Sequence, residues 1–118
     1  MAKNSNPDYL NGVPELVLLQ LLERRPMYGY ELVRAIERST GEVLAFGEGC
    51  IYPVLHRLEA DGSLAGKRET VQGRSRVVYR LTAGGRMRLV GRIAAWRNVS
   101  VAVNQILLGD EHGRPATT

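Results

Sequence analysis

Apolar positions crowd the stretch after Pro14, where Leu16, Leu18, Leu19, Leu21 and Leu22 cover most of a helical circumference. A helix clothed in this way belongs in the middle of a core. The pattern predicts that it starts at Pro14, where the missing N–H has no helical partner to lose, and stops at Arg25-Pro26. Gly29 then opens a second helix with Tyr30, Leu32, Val33 and Ile36 inward and Glu31, Arg34, Glu37 and Arg38 outward; Gly41 caps it. Beyond the glycine-rich connector LAFGEG, Ile51, Leu55 and Leu58 recur at i, i+4 and i+7, which predicts a third helix from about Cys50 to Gly62. Pro53, in or just past its first turn, limits where that helix begins.

The period then changes. Leu64 to Glu69 and Arg76 to Leu81 read as short strands around a Gln72-Gly73-Arg74 turn, with Val77, Tyr79 and Leu81 on one face and Arg76, Val78 and Arg80 on the other. Thr82 caps a last helix running to about Leu108, roughly 40 Å at 1.5 Å per residue. One of its apolar stripes holds Leu89, Ile93, Trp96, Val103 and Leu107, and a second holds Met87, Val90, Ala94 and Val101. Three short helices and a hairpin cannot cover both, and a second copy of the chain is the simplest cover. The expected fold is mainly α with a β-hairpin: a winged helix-turn-helix over residues 13–81 and a dimerisation helix over 82–108. A flexible arm (1–12) and a flexible tail (109–118) flank them. In a winged helix-turn-helix the third helix lies in the DNA major groove and the hairpin rests over the neighbouring backbone or minor groove.

Composition removes most other classes. A length of 118 residues suits one compact domain, and 44% hydrophobic with 24% charged residues excludes wholesale disorder. No run reaches the ~18 apolar residues of a membrane span, and the first residues lack the apolar core of a signal peptide. With Cys50 the single cysteine, no internal disulfide can form, so a cytoplasmic protein is expected. Cys50, His56 and His112 cannot close a zinc site, and Gly47-x-Gly49 follows no strand that would make it a dinucleotide loop. No nucleophile–base set or carboxylate pair stands out. Neither a metal nor a cofactor nor an enzymatic activity is therefore expected.

The net charge of +4 conceals an asymmetry. Residues 56–92 hold nine basic and three acidic side chains, making that segment +6 and the remainder −2. In a winged helix-turn-helix this places Arg57 on the third helix and Lys67, Arg68, Arg74 and Arg76 on the hairpin, where a polyanionic partner would lie. A merely solvated charged face has the same composition.

The strings YGYEL (residues 28–32), GCIYPVLHRLEADGSL (49–64) and VVYRLTAGGR (77–86) resemble the signature blocks of the PadR family of bacterial transcriptional regulators. The resemblance runs from about Val13 to Leu108, and the single C-terminal helix is similar to that of the small subgroup, where this helix forms the dimer. Many relatives carry His at the position of Tyr28 and Thr or Ser at that of Cys50. The resemblance implies a homodimeric repressor that reads a roughly palindromic operator in double-stranded DNA. It also implies that Tyr52, beside Pro53, touches a phosphate or base edge; the other reading is a half-buried residue packing the turn between helices two and three. His56 and Arg57 could reach the duplex, or Arg57 could pair with Asp61. Tyr28 and Gly29 precede helix two, whose free N–H groups attract phosphate. Arg74 and Arg76 read as phosphate or minor-groove contacts, and Lys67 and Arg68 as either contacts or solubilising charge. Cys50, at the start of helix three, is a redox candidate or simply a small residue. Trp96 is a packing anchor of the dimer or the wall of a pocket for a planar aromatic effector. The alternative function, a winged-helix module binding proteins rather than DNA, leaves the hairpin arginines without a purpose.

Overall fold

The computed structural model of the chain describes residues 8–109. The remaining residues of the expected arm and tail (1–7 and 110–118) lie outside the described residues. The elements are α1 (Asp8–Arg24), β1 (Met27–Tyr28), α2 (Gly29–Ser39), α3 (Glu48–Ala60), β2 (Leu64–Val71), β3 (Arg74–Leu81) and α4 (Ala83–Leu107). The strands form one antiparallel sheet in the order β1-β3-β2, and with the helices they make a winged helix-turn-helix carrying a long terminal helix. No helix among the described residues is long and apolar enough to cross a membrane.

α1 supplies the centre of the core. Leu18 and Leu19 are wholly buried, and Leu32, Ile51, Leu55 and Leu58 of α2 and α3 close around them. The helix begins at Asp8, six residues before the expected start at Pro14. Residues 8–12 therefore belong to α1 and not to an arm, and Pro14 sits inside the helix, where only the bond to the carbonyl of Leu10 is lost. Pro26 ends α1 and holds the chain extended. Met27 drops into the core and pairs with Tyr79, while Tyr28 pairs with Val78.

That short third strand was not expected, and it changes one assignment. Val78, placed by alternation on the outward face with Arg76 and Arg80, is buried, because β3 is the middle strand and Val78 shares rungs with Tyr28 on one side and Lys67 on the other. Tyr79 is buried as expected. The hairpin is tighter than the sequence suggested. Gln72 and Gly73 alone make the turn, with φ of 52° and 79°, and the strands extend to Val71 and from Arg74.

Tyr30 corrects a second assignment: expected in the core, it is 41% exposed and its hydroxyl accepts a hydrogen bond from Arg34 Nη1 one turn on. α3 begins at Glu48 with Gly47 in the capping position, so Cys50 is its third residue and not its cap. Thr82 caps α4 as its sequence indicates, accepting from Gly85 N at 3.0 Å. The Thr82 hydroxyl donates to the carbonyl of Gly62 at 2.6 Å, and its N–H donates to that of Ser63 at 3.1 Å, so the start of α4 is sewn to the turn following α3.

Gly85 completes this seam. A Cβ there would run into the Ser63 carbonyl and lie 2.6 Å from Leu81 Cδ1. Alanine normally favours a helix interior over glycine by about 1 kcal/mol. Here the backbone obstacle cannot swing aside, and Gly85→Ala is expected to destabilise the fold by about 1–3 kcal/mol in urea unfolding. Equal or higher stability would mean that the seam is looser than described.

Candidate nucleic-acid interface

Three elements meet around one concavity: the start of α2 (Tyr28, Gly29), α3 (Tyr52, His56) and the wing strand β3 (Ser75, Arg76, Val77, Tyr79). α3 turns Ile51, Leu55 and Leu58 inward and leaves Gly49, Cys50, Pro53 and His56 exposed along one side, with Glu48, Arg57 and Glu59 exposed as charged neighbours. Tyr52 is half-buried, its ring tilted 41° to that of His56 with centroids 6.2 Å apart. Its packing role is visible at Gly29, where a Cβ would collide with the Tyr52 ring, Cζ and Oη lying 2.6 Å away. Glycine is what lets α2 and α3 approach this closely. Burial, reinforced by Glu48, pushes the Tyr52 phenol above its usual range, although Arg76 opposes this. The group stays protonated and can donate as well as accept.

The α2 N-terminus is prepared locally. Glu31 Oε1 accepts from Tyr28 N at 3.3 Å, and Glu31 Oε2 is held by Arg25 Nη2 at 2.7 Å. The Arg76 guanidinium lies over the Tyr28 ring at 4.6 Å, and its Nε is shut off from solvent with no hydrogen-bond partner among the described residues. Along the wing Lys67, Arg68 and Arg74 are exposed. Arg68 Nη1 donates to Ser75 Oγ at 3.2 Å, and Arg80 is neutralised by Glu69 at 2.7 Å. The geometry offers a ridge of α3, formed by Gly49, Cys50, Pro53 and His56, between the cationic wing and the dipole of the α2 N-terminus.

The PadR-like transcriptional regulator family matches this chain over residues 18–90. The chain belongs to that family. Transcriptional regulator Rv3488 of Mycobacterium tuberculosis is 42% identical over 64 residues, covering 54% of this chain and 57% of that protein, little more than half its length. Among solved structures, the PadR-like transcriptional regulator of Bacillus cereus is 30% identical, with a TM-score of 0.73 over 87% of this chain and 99% of its own. The smu.1704 protein of Streptococcus mutans gives a TM-score of 0.75 at 26% identity, over 92% of this chain and 94% of its own.

Two residues of this PadR-like regulator sit otherwise than the sequence suggested. Arg57 does not pair with Asp61. Its Nη1 donates to Glu15 Oε1 of α1 at 3.1 Å, while its side chain remains half-exposed, and Asp61 is taken instead by Arg88 at 3.3 Å. Glu15, which follows Pro14 at the head of the leucine-rich stretch of α1, is 1% exposed and also receives Arg88 Nε at 2.6 Å and Arg92 Nε at 2.7 Å. Burial alone would raise its carboxyl pKa; hydrogen bonds from Arg88, Arg92 and Arg57 overcome that and hold it at about 2. Along α4, Leu89 is buried and Ile93 half-buried, whereas Trp96, Val103 and Leu107 are 43%, 48% and 69% exposed.

The carboxyl of Glu15 titrates near 2 in the fold against an ordinary 4.5, so its stabilisation is complete above about pH 4.5 and disappears as pH falls toward 2. The linked part is about 3 kcal/mol. The stability gap between the wild type and Glu15→Gln is expected to be widest near neutrality and to narrow below pH 5. A gap constant from pH 7 to pH 2 would contradict an ionised carboxylate at this position.

Proposed function

We propose that this regulator is a non-catalytic, homodimeric repressor that binds a roughly palindromic operator, with α3 in the major groove and the wing along the adjacent backbone or minor groove. The supporting observation is the concavity itself: the α2 N-terminus, Tyr52 and Arg76 line one space of the kind a backbone phosphate fills. Tyr28 and Gly29 stand at the α2 N-terminus, where the helix dipole favours an anion, and Arg76 adds a charge already oriented by the Tyr28 ring. Lys67, Arg68 and Arg74 extend the cationic track along the wing. Gly49, Cys50, Pro53 and His56 form the part of α3 slim enough for base edges in a groove about 12 Å wide. Arg57 is left to Glu15.

In this reading residues 13–81 bind DNA and residues 82–108 dimerise. Met87, Val90, Val101 and Ile106 are 77%, 69%, 56% and 83% exposed, and together with Trp96, Val103 and Leu107 they leave α4 with more apolar surface than a lone chain covers. An aromatic effector would stack on Trp96, which borders a small recess lined by Gly12, Val13, Leu16, Arg92 and Ala95. A planar ligand seated there would shift operator affinity only by binding the two settings of α4 unequally.

Charge reversal at both Arg74 and Arg76 tests the DNA role. Against an operator selected from random duplexes, the double variant is expected to bind more weakly and to lower the slope of log K against log salt by about 2. A wild type that prefers no duplex over bulk DNA at ~150 mM salt contradicts the proposal and favours the protein-binding module.

A further inference from the structure

One buried carboxylate needs one guanidinium to neutralise it, yet Glu15 has three, from two different elements: Arg57 of α3, and Arg88 and Arg92 of α4. The α4 contacts at 2.6 and 2.7 Å are the shorter ones and already satisfy the charge; Arg57 at 3.1 Å is surplus to that need. What the third arm adds is a connection. Arg88 repeats it by a second route, spanning from Glu15 to Asp61 at the C-terminal end of α3. With Thr82 bound to Gly62 and Ser63, α3 and α4 are fastened at the last turn of α3 and again at the turn that follows it.

We propose that Glu15 is a positioning residue for operator recognition. Through Arg57 on one side and Arg88 and Arg92 on the other it makes α3 follow α4, so that the packing of α4 in the dimer sets the separation of the two recognition helices. This rests on the DNA-binding, dimeric reading above. It differs from a simple role in folding because it predicts an effect on half-site spacing, which a loss of stability alone does not alter. It also removes Arg57 from the phosphate contacts.

The test uses Arg57→Met, Arg88→Met and the double variant, each of which leaves Glu15 at least one guanidinium partner. The probes are duplexes selected by the wild type, together with versions carrying one base pair more or fewer between half-sites. Thermal midpoints at pH 7 establish that each variant is folded. Arg88 lies on α4 and does not line the concavity between α2, α3 and β3. Arg88→Met is nevertheless expected to weaken binding at the best spacing roughly 2- to 30-fold and to flatten the spacing preference, with the salt slope unchanged. Arg57→Met leaves the Arg88–Asp61 bridge, and Arg88→Met leaves the Arg57–Glu15–Arg92 path. Arg57→Met is therefore expected to do the same, and the double variant, which cuts both routes, to lose at least the product of the two single losses. Wild-type spacing preference in Arg88→Met, or a double variant no worse than the weaker single one, overturns the proposal. So does a salt slope lowered by about 1 in Arg57→Met, which would make Arg57 a phosphate contact. A wild type that selects no duplex overturns the DNA-binding reading itself.

Discussion

A carboxylate placed almost wholly out of water in the middle of a small protein is tolerated only if its neighbours hold it charged. Glu15 is that group, and the three arginines around it draw α1, α3 and α4 to one point. The apolar core alone would allow α4 to settle against α1 at several angles, since leucine surfaces are only loosely directional. Short hydrogen bonds from Arg88 and Arg92 select one angle, and the seam at Thr82 and Gly85 prevents the turn after α3 from drifting. The placement of α3 relative to α4 follows from this arrangement.

The surface divides its labour between elements. The ridge of α3 holds Gly49, Cys50, Pro53 and His56, and Tyr52 packs against Gly29 where α2 and α3 approach closely. Positive charge is kept on the wing and at the start of α2, where Arg76 is steered by the Tyr28 ring. In the proposed complex, affinity would come from these flanks and sequence discrimination from the ridge between them, the division expected of phosphate and base contacts. Removing Arg57 from the contact set sharpens the division, because the charge on α3 nearest the ridge is then structural.

Much of this was legible in the sequence. Leu32, Val33, Ile36 and Ile51, Leu55, Leu58 repeat at helical spacing, and Thr82 announces the start of α4. These features are local, and the structure follows them. The missed features are those whose cause lies elsewhere in the chain. Met27 and Tyr28 form a strand only because β3 is there to pair with, and two residues carry no period of their own. Val78 is sheltered by that unforeseen strand. Tyr30 stands at the edge of the α2 stripe, and its polar tip draws it to Arg34 and water. Glu15 is the extreme case: its partners lie 42, 73 and 77 residues away, so no spacing rule applied to α1 could reveal them. The early start of α1 was hidden in another way, since Pro14 is an equally good first-turn residue.

In the proposed complex two copies of one ridge, held at a fixed separation, meet duplex DNA. Hydroxyl-radical footprinting of the dimer on a selected operator measures this most directly. The account predicts two equivalent protected tracts related by a two-fold axis, with centres about one helical turn (or a multiple of it) apart, flanked by backbone protection from the wings. A single tract, or uniform protection that follows protein concentration without regard to sequence, would contradict it.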